Sequence, residues 1–129
     1  MTATSTAGTT IADKKSIETP DEVREFPNGR MDILTLGGTI FSRATFEPGW
    51  KWSESVKPIV HTESCELPHA AYVAAGSLHI VMDDGRELDA NPGDLFVVGP
   101  GHDAWVTSDE ACVLLDFGGD DADYAKPVD

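Results

Sequence analysis

Apolar and polar positions alternate with a period near two in a series of short runs, and the breaks between runs fall on glycine, proline, asparagine and aspartate. Met31 to Leu36 and Thr39 to Phe46 are rich in β-branched and aromatic residues, and Gly37-Gly38 between them marks a hairpin. Pro48-Gly49 predicts the next turn, after which Trp50 and Trp52 share one face of an extended segment. Ser77 to Met82 and Arg86 to Asp89 read as a second hairpin around Asp83-Asp84-Gly85, with a further turn at Asn91-Pro92-Gly93-Asp94. Leu95 to Val98, Trp105 to Thr107 and Ala111 to Phe117 continue the series, separated by Gly99-Pro100-Gly101 and Ser108-Asp109-Glu110. A single helical turn is expected before Phe26, where Asp21 and Glu22 follow Pro20. No longer stretch keeps a helical period, so the chain is predicted to be all-β and to close as a sandwich or barrel.

Composition narrows this picture. With 129 residues, 40% of them hydrophobic, the chain has material for one core and therefore one domain. That domain is expected over 16–117. Residues 1–15, rich in Thr, Ser and Ala, have little to bury and read as a flexible N-terminal tail, and 118–129 as an acidic C-terminal tail. A net charge of -14 repels phosphate backbones and anionic headgroups, which argues against nucleic acid and membrane as partners. The N-terminal sequence has no basic start or apolar run of signal-peptide length, so a cytoplasmic location is expected. Cys65 and Cys112 are too few for a disulfide framework and are expected as thiols, with Cys112 filling core in Ala111 to Leu115.

Candidate chemistry gathers in His61-Thr62-Glu63-Ser64-Cys65-Glu66-Leu67-Pro68-His69. On an extended segment Glu63 and Cys65 leave the same face, and His69 opens the next extended run after the break at Pro68. His61 shares that face if the strand begins early. His79 alternates against Leu78, Ile80 and Met82 and points the other way. The aromatic residues Trp52, Tyr72, Phe96 and Trp105 are candidates for the walls of a small-molecule pocket. Glu66, Asp83, Asp84 and Asp94 read as solvated turn acids.

Tyr72-Val73-Ala74-Ala75-Gly76 and the run Pro92 to Gly101 resemble the end of the first and the start of the second motif of the cupin superfamily, over roughly Phe41 to Phe117. Those motifs are written G-x5-H-x-H-x3,4-E-x6-G and G-x5-P-x-G-x2-H-x3-N. The resemblance implies a double-stranded β-helix, a jelly-roll barrel. Counted back from Gly76, the motif's glutamate falls on His69 and, at the shorter spacing, its two histidines fall on Glu63 and Cys65. At the longer spacing Thr62 and Ser64 face inward and Glu63 drops out. The second motif's histidine falls on Ala104, so the usual fourth ligand is absent and His102 stands two residues before it.

The set implied is His69, Glu63, His102 and Cys65 around one divalent transition metal, Zn, Fe, Ni or Mn. Thiolate and imidazole favour zinc or iron over magnesium or calcium. The resemblance also implies a metal-dependent enzyme acting on a small organic metabolite by isomerase, lyase, decarboxylase or oxygenase chemistry, with Glu63 or His61 to move a proton. The other reading is a non-catalytic cupin without metal, binding a small molecule or serving only to fold and dimerise. A nucleophilic Cys65 activated by His69 is a third. Jelly rolls have edge strands that pair or are covered, so a homodimer is expected.

Overall fold

The computed structural model describes residues 11–117, along which nine strands and two single-turn helices follow one another. The strands are β1 (Glu22–Phe26), β2 (Gly29–Leu36), β3 (Thr39–Phe46), β4 (His69–Ala75), β5 (Leu78–Met82), β6 (Glu87–Ala90), β7 (Leu95–Val98), β8 (His102–Val106) and β9 (Cys112–Phe117). The helices α1 (Trp52–Ser55) and α2 (Lys57–Val60) bridge β3 to β4. The chain is all-β, as its alternation predicts. The expected C-terminal tail and residues 1–10 of the N-terminal tail lie outside the described residues.

Strands β1-β2-β3-β9-β4-β7 form one antiparallel sheet and β6-β5-β8 a second. Strand β9 inserts between β3 and β4, so the last strand of the chain closes the first half of the fold onto the second. The two sheets face each other across one hydrophobic core. Met31, Ala44, Phe46, Ala71, Val73, Cys112 and Leu114 fill it from the large sheet, and Leu78, Ile80, Ala90 and Ala104 from the small one. Cys112 is fully buried and burial pushes its thiol up to about 12, as expected for a core filler.

Three expectations are corrected. The helical turn before Phe26 is instead strand β1, whose residues pair with β2 from Glu22↔Ile33 to Phe26↔Gly29. The acidic pair suits a helix start, but burying Phe26 against the sheet outweighs that local preference. Trp50 and Trp52 do not share an extended segment, because Lys51 makes only an isolated bridge to Trp105 and Trp52 begins α1. Strand β8 begins at His102 and not at Trp105, which places His102 inside the ladder, opposite Met82.

Gly76 sets the relation between β4 and β5. Its φ is +71°, and a Cβ there would stand 2.6 Å from Cys112 Cα, inside the contact distance of the β9 backbone. Only glycine meets both demands.

Residues Met31–Leu34 are buried on both faces of β2. Asp32, 1% exposed on the outer face, accepts hydrogen bonds from Arg30 at 2.6 Å and Arg43 at 3.0 Å, and Arg43 reaches on to Glu18 at 2.6 Å. This network ties the segment before β1 across the sheet. No helix among the described residues is long and apolar enough to cross a membrane.

Candidate metal centre

Three side chains converge inside the barrel from separate parts of the chain. His69 is the first residue of β4 and shares the inward face of Ala71 and Val73. His102 is the first residue of β8 and shares the inward face of Ala104. Cys65 lies in the connection from α2 to β4 and is held beside His102 by backbone bonds, Cys65 N–H to His102 O at 2.7 Å and Gly101 N–H to Cys65 O at 2.7 Å. The nearby Ser64 hydroxyl donates to Asp83 at 2.9 Å, which pins the connection to the β5–β6 turn.

Ligand atoms of Cys65, His69 and His102 all lie within 4.8 Å of one another. Each imidazole is oriented through Nδ1. His69 Nδ1 bonds Asp116 Oδ2 at 2.8 Å, and His102 Nδ1 bonds the Gly99 carbonyl at 2.9 Å. A carbonyl or carboxylate accepts, so both Nδ1 atoms carry hydrogen and both Nε2 atoms present lone pairs when the rings are neutral. His69 Nε2 stands 3.7 Å from Cys65 Sγ, and the two rings meet edge to face with centroids 5.3 Å apart.

Burial of Cys65 works to raise its pKa. Hydrogen bonds from His102 and His69, with the charge of those rings, outweigh it and bring the thiol down to about 6. The set therefore offers a sulfur whose ionisation the two neighbouring rings assist, and two imidazoles oriented through Nδ1. Zinc–sulfur and zinc–nitrogen bonds of about 2.3 and 2.1 Å at a tetrahedral angle separate sulfur from nitrogen by roughly 3.6 Å, close to the 3.7 Å between Cys65 Sγ and His69 Nε2. The donor chemistry and its spacing fit a transition metal.

The group opens on a cavity that leaves about 40 Å³ for the centre of a water molecule to move in. Cys65, His69, His102 and Asp116 are its polar lining, and Met31, Phe46, Trp50, Trp52, Ile80, Phe96 and Leu114 are among its apolar walls.

The structure separates the residues expected here. Trp52 and Phe96 line the cavity. Tyr72 does not, because it alternates with the inward Ala71 and Val73 and emerges on the outer face of β4, 36% exposed. Trp105 is likewise turned outward between Ala104 and Val106, against His79 at 5.0 Å and beneath Lys51 Nζ at 4.9 Å. Glu63 is corrected out of the ligand group, since its side chain is 96% exposed and pairs with Lys57 at 3.5 Å. His61 caps α2 in the left-handed region at φ 62° and is exposed. Neither is placed to move a proton in the cavity. The segment Thr62–Pro68 is a set of bends and not a strand, so the alternation that paired Glu63 with Cys65 does not operate there.

Asp116 was absent from the sequence-based candidates. It is 5% exposed, on the inward face of β9 with Cys112 and Leu114, and also lies 3.4 Å from the Ala70 N–H. A carboxylate at an inward position of an otherwise apolar strand is the signal that would have found it.

Comparison with protein-family models and with curated proteins gives no match. Solved structures do match in shape. A polyketide cyclase from Streptomyces resistomycificus aligns at 17% identity over 84% of this chain and 79% of its own, with a TM-score of 0.59. A sugar phosphate isomerase of the cupin superfamily from Silicibacter pomeroyi aligns at 21% identity over 82% of this chain and 74% of its own, with a TM-score of 0.57. An RmlC-like cupin from Shewanella frigidimarina aligns at 19% identity over 75% and 82%, with a TM-score of 0.51. With these likenesses and the two facing antiparallel sheets closed by β9, the chain has the jelly-roll fold that these cupin structures share.

Proposed function

We infer that this protein is a metal-dependent cupin enzyme acting on a small organic molecule, with one divalent transition metal held by Cys65, His69 and His102. The observation that carries this reading is the convergence of three ligand atoms within 4.8 Å, with each imidazole turned to the common point by a bond at Nδ1. Thiolate with imidazole selects zinc or iron over magnesium or calcium. When bound, the metal supplies Lewis-acid polarisation of a carbonyl or carboxylate oxygen, and three protein ligands leave a position for that oxygen.

The chain's own residues do the rest. Asp116 fixes the tautomer and direction of His69, as the Gly99 carbonyl does for His102, so the ligands are set before anything binds. Phe96, Trp52 and Leu114 exclude bulk water, which strengthens every polar contact inside. Polarisation of that kind would serve isomerase, lyase or decarboxylase chemistry, and a bound iron would add oxygenation to these.

Elemental analysis of protein purified without an affinity tag tests the reading. Near-stoichiometric zinc or iron is expected, as is a thiolate-to-cobalt charge-transfer band in cobalt-substituted protein that disappears in Cys65→Ser. Failure to take up any transition metal after reconstitution would sink the metal centre.

A further inference from the structure

The two sheets end in four edge strands, and three of these are guarded against pairing with another chain. β1 carries Glu22, Arg24 and Glu25, and β6 carries Glu87 and Asp89. β8 is covered by the chain itself, through backbone bridges from Lys51 to Trp105 and from Cys65 to His102. Charges and covering segments are the usual protection of a sheet edge. Among the described residues β7 has neither. Leu95-Phe96-Val97-Val98 holds no charged residue and no proline, and its strand partner is β4, on one side. A groove lined by Met82, Arg86, Glu87, Leu88, Val97 and Val98 opens beside it.

The free edge presents a definite array of backbone groups. Val73 N–H donates to Asp94 O at 2.9 Å, and in an antiparallel ladder such bonded pairs recur at every second residue. Phe96 and Val98, opposite Ala71 and His69, therefore turn N–H and C=O toward β4, while Leu95 and Val97 turn theirs to the open side. The side chains of the same two residues stand out from the sheet, 74% and 78% exposed. Their apolar surface continues over Tyr72 and Leu115 on the neighbouring strands.

The occupant that fits this edge is a second copy of the chain. A net charge of -14 repels other acidic surfaces, and a basic partner would be drawn to the acidic faces and not to an uncharged strand. Two copies avoid that repulsion where neither carries charge. β7 is also its own complement. About a two-fold axis between the Phe96 residues of the two copies, Leu95 pairs with the partner's Val97 and Val97 with the partner's Leu95. Every outward N–H and C=O of those residues then finds a partner, in four hydrogen bonds. We propose that β7 is the interface of a homodimer, pairing antiparallel with its own copy to join the two large sheets. The inward side of the same strand lines the metal cavity with Phe96 and Val98, so the interface backs one wall of the site.

Sedimentation velocity on the full chain across the micromolar range tests this, with a concentration-dependent dimer expected. Hydrogen exchange on the wild-type chain gives the residue-level readout. The Leu95 and Val97 amides should exchange slowly in the dimer and faster on dilution, while those of Phe96 and Val98 stay slow throughout. Val97→Pro removes an N–H that points at the partner and none that β4 uses. Protection of Phe96 and Val98 should therefore survive in that variant, while the dimer weakens at least about 10-fold, since symmetry removes two bonds at once. Val97→Lys, which leaves the backbone intact, should also shift the chain toward monomer. A wild-type chain that stays monomeric, or a dimer whose Leu95 and Val97 amides exchange freely, would overturn the proposal. So would slow exchange of those amides in a monomer, which would put a segment of the same chain on the edge. None of these readouts depends on metal, so failure of the metal centre would leave the interface standing.

Discussion

His69 and His79 sit on consecutive strands, each with an aspartate on Nδ1, yet only one of them faces the cavity. His79 lies on the outer face of β5 between Asp89, 2.6 Å from Nδ1, and Glu87, 2.6 Å from Nε2. A carboxylate on each nitrogen favours the cationic ring, and those two hydrogen bonds, Asp89 first and then Glu87, raise its pKa. A protonated ring has no lone pair for a metal. His69 has the Asp116 carboxylate on Nδ1, and its Nε2 faces Cys65 and His102. Asp116 orients the His69 imidazole with Nε2 toward Cys65 and His102, whereas acceptors on both nitrogens engage the His79 imidazole as an ion-pair partner on the outer face.

Breaking the turn between the two strands should have the largest effect. Gly76→Val puts a β-branched side chain at φ +71° and against the β9 backbone, so both histidines should lose their positions together. A loss of about 3 kcal/mol of unfolding free energy in urea is expected, from left-handed strain plus overpacking. A variant as stable as wild type would refute the steric account of this glycine.

Next in size is the contrast between the histidines themselves. His69→Ala should abolish bound metal while circular dichroism stays that of the folded protein, and His79→Ala should leave metal content unchanged. Equal metal loss in both variants would mean that the effect is general unfolding and not ligation.

Asp116→Asn should weaken metal binding by about 10- to 100-fold, the usual cost of removing a carboxylate that supports a ligating histidine. Asp89→Asn, the corresponding change at His79, should leave metal affinity where it was. Competition with a chelator of known affinity reads both.

The smallest effect is a pH dependence at His79. Its folded pKa is raised, so the stability contributed by its two ion pairs is fully present below the unfolded value near 6.5 and is lost as pH rises through the folded value. The contribution is at most about 1 kcal/mol, the range of exposed ion pairs. Denaturation of wild type and of the Glu87→Gln, Asp89→Asn double variant should converge as pH rises. A gap that widens with pH would reverse the assignment.

Much of this contrast was legible in the sequence. Leu78, Ile80 and Met82 already placed His79 outward, and Pro68 and Gly76 bracket the run that puts His69 inward with Ala71 and Val73. The same alternation applies to Tyr72 and Trp105. Each lies an odd number of residues from an inward histidine on its own strand, and so emerges on the outer face. Reading large aromatics as pocket walls overrode that parity. Asp116 obeys it too, sharing the face of Cys112 and Leu114.

Glu63, His61 and Cys65 were not legible in this way. They lie where the chain leaves α2 through a left-handed residue and bends, so no period relates one side chain to the next. The helical turn expected before Phe26 failed for a related reason, since Asp21 and Glu22 report a local preference and β1 forms there by pairing with β2.

By itself, the sequence determined most of the strands and turns and the face that residues within those strands take, because a pleated strand alternates its side chains whatever it packs against. Tertiary structure alone decided that Cys65 stands beside His102, that Asp116 backs His69, and that Trp50 reaches the same cavity. Those neighbours are far apart in the chain. They meet through strand insertion and backbone pairing between distant segments, where the burial of the whole core, and not any local pattern, sets which surfaces come together.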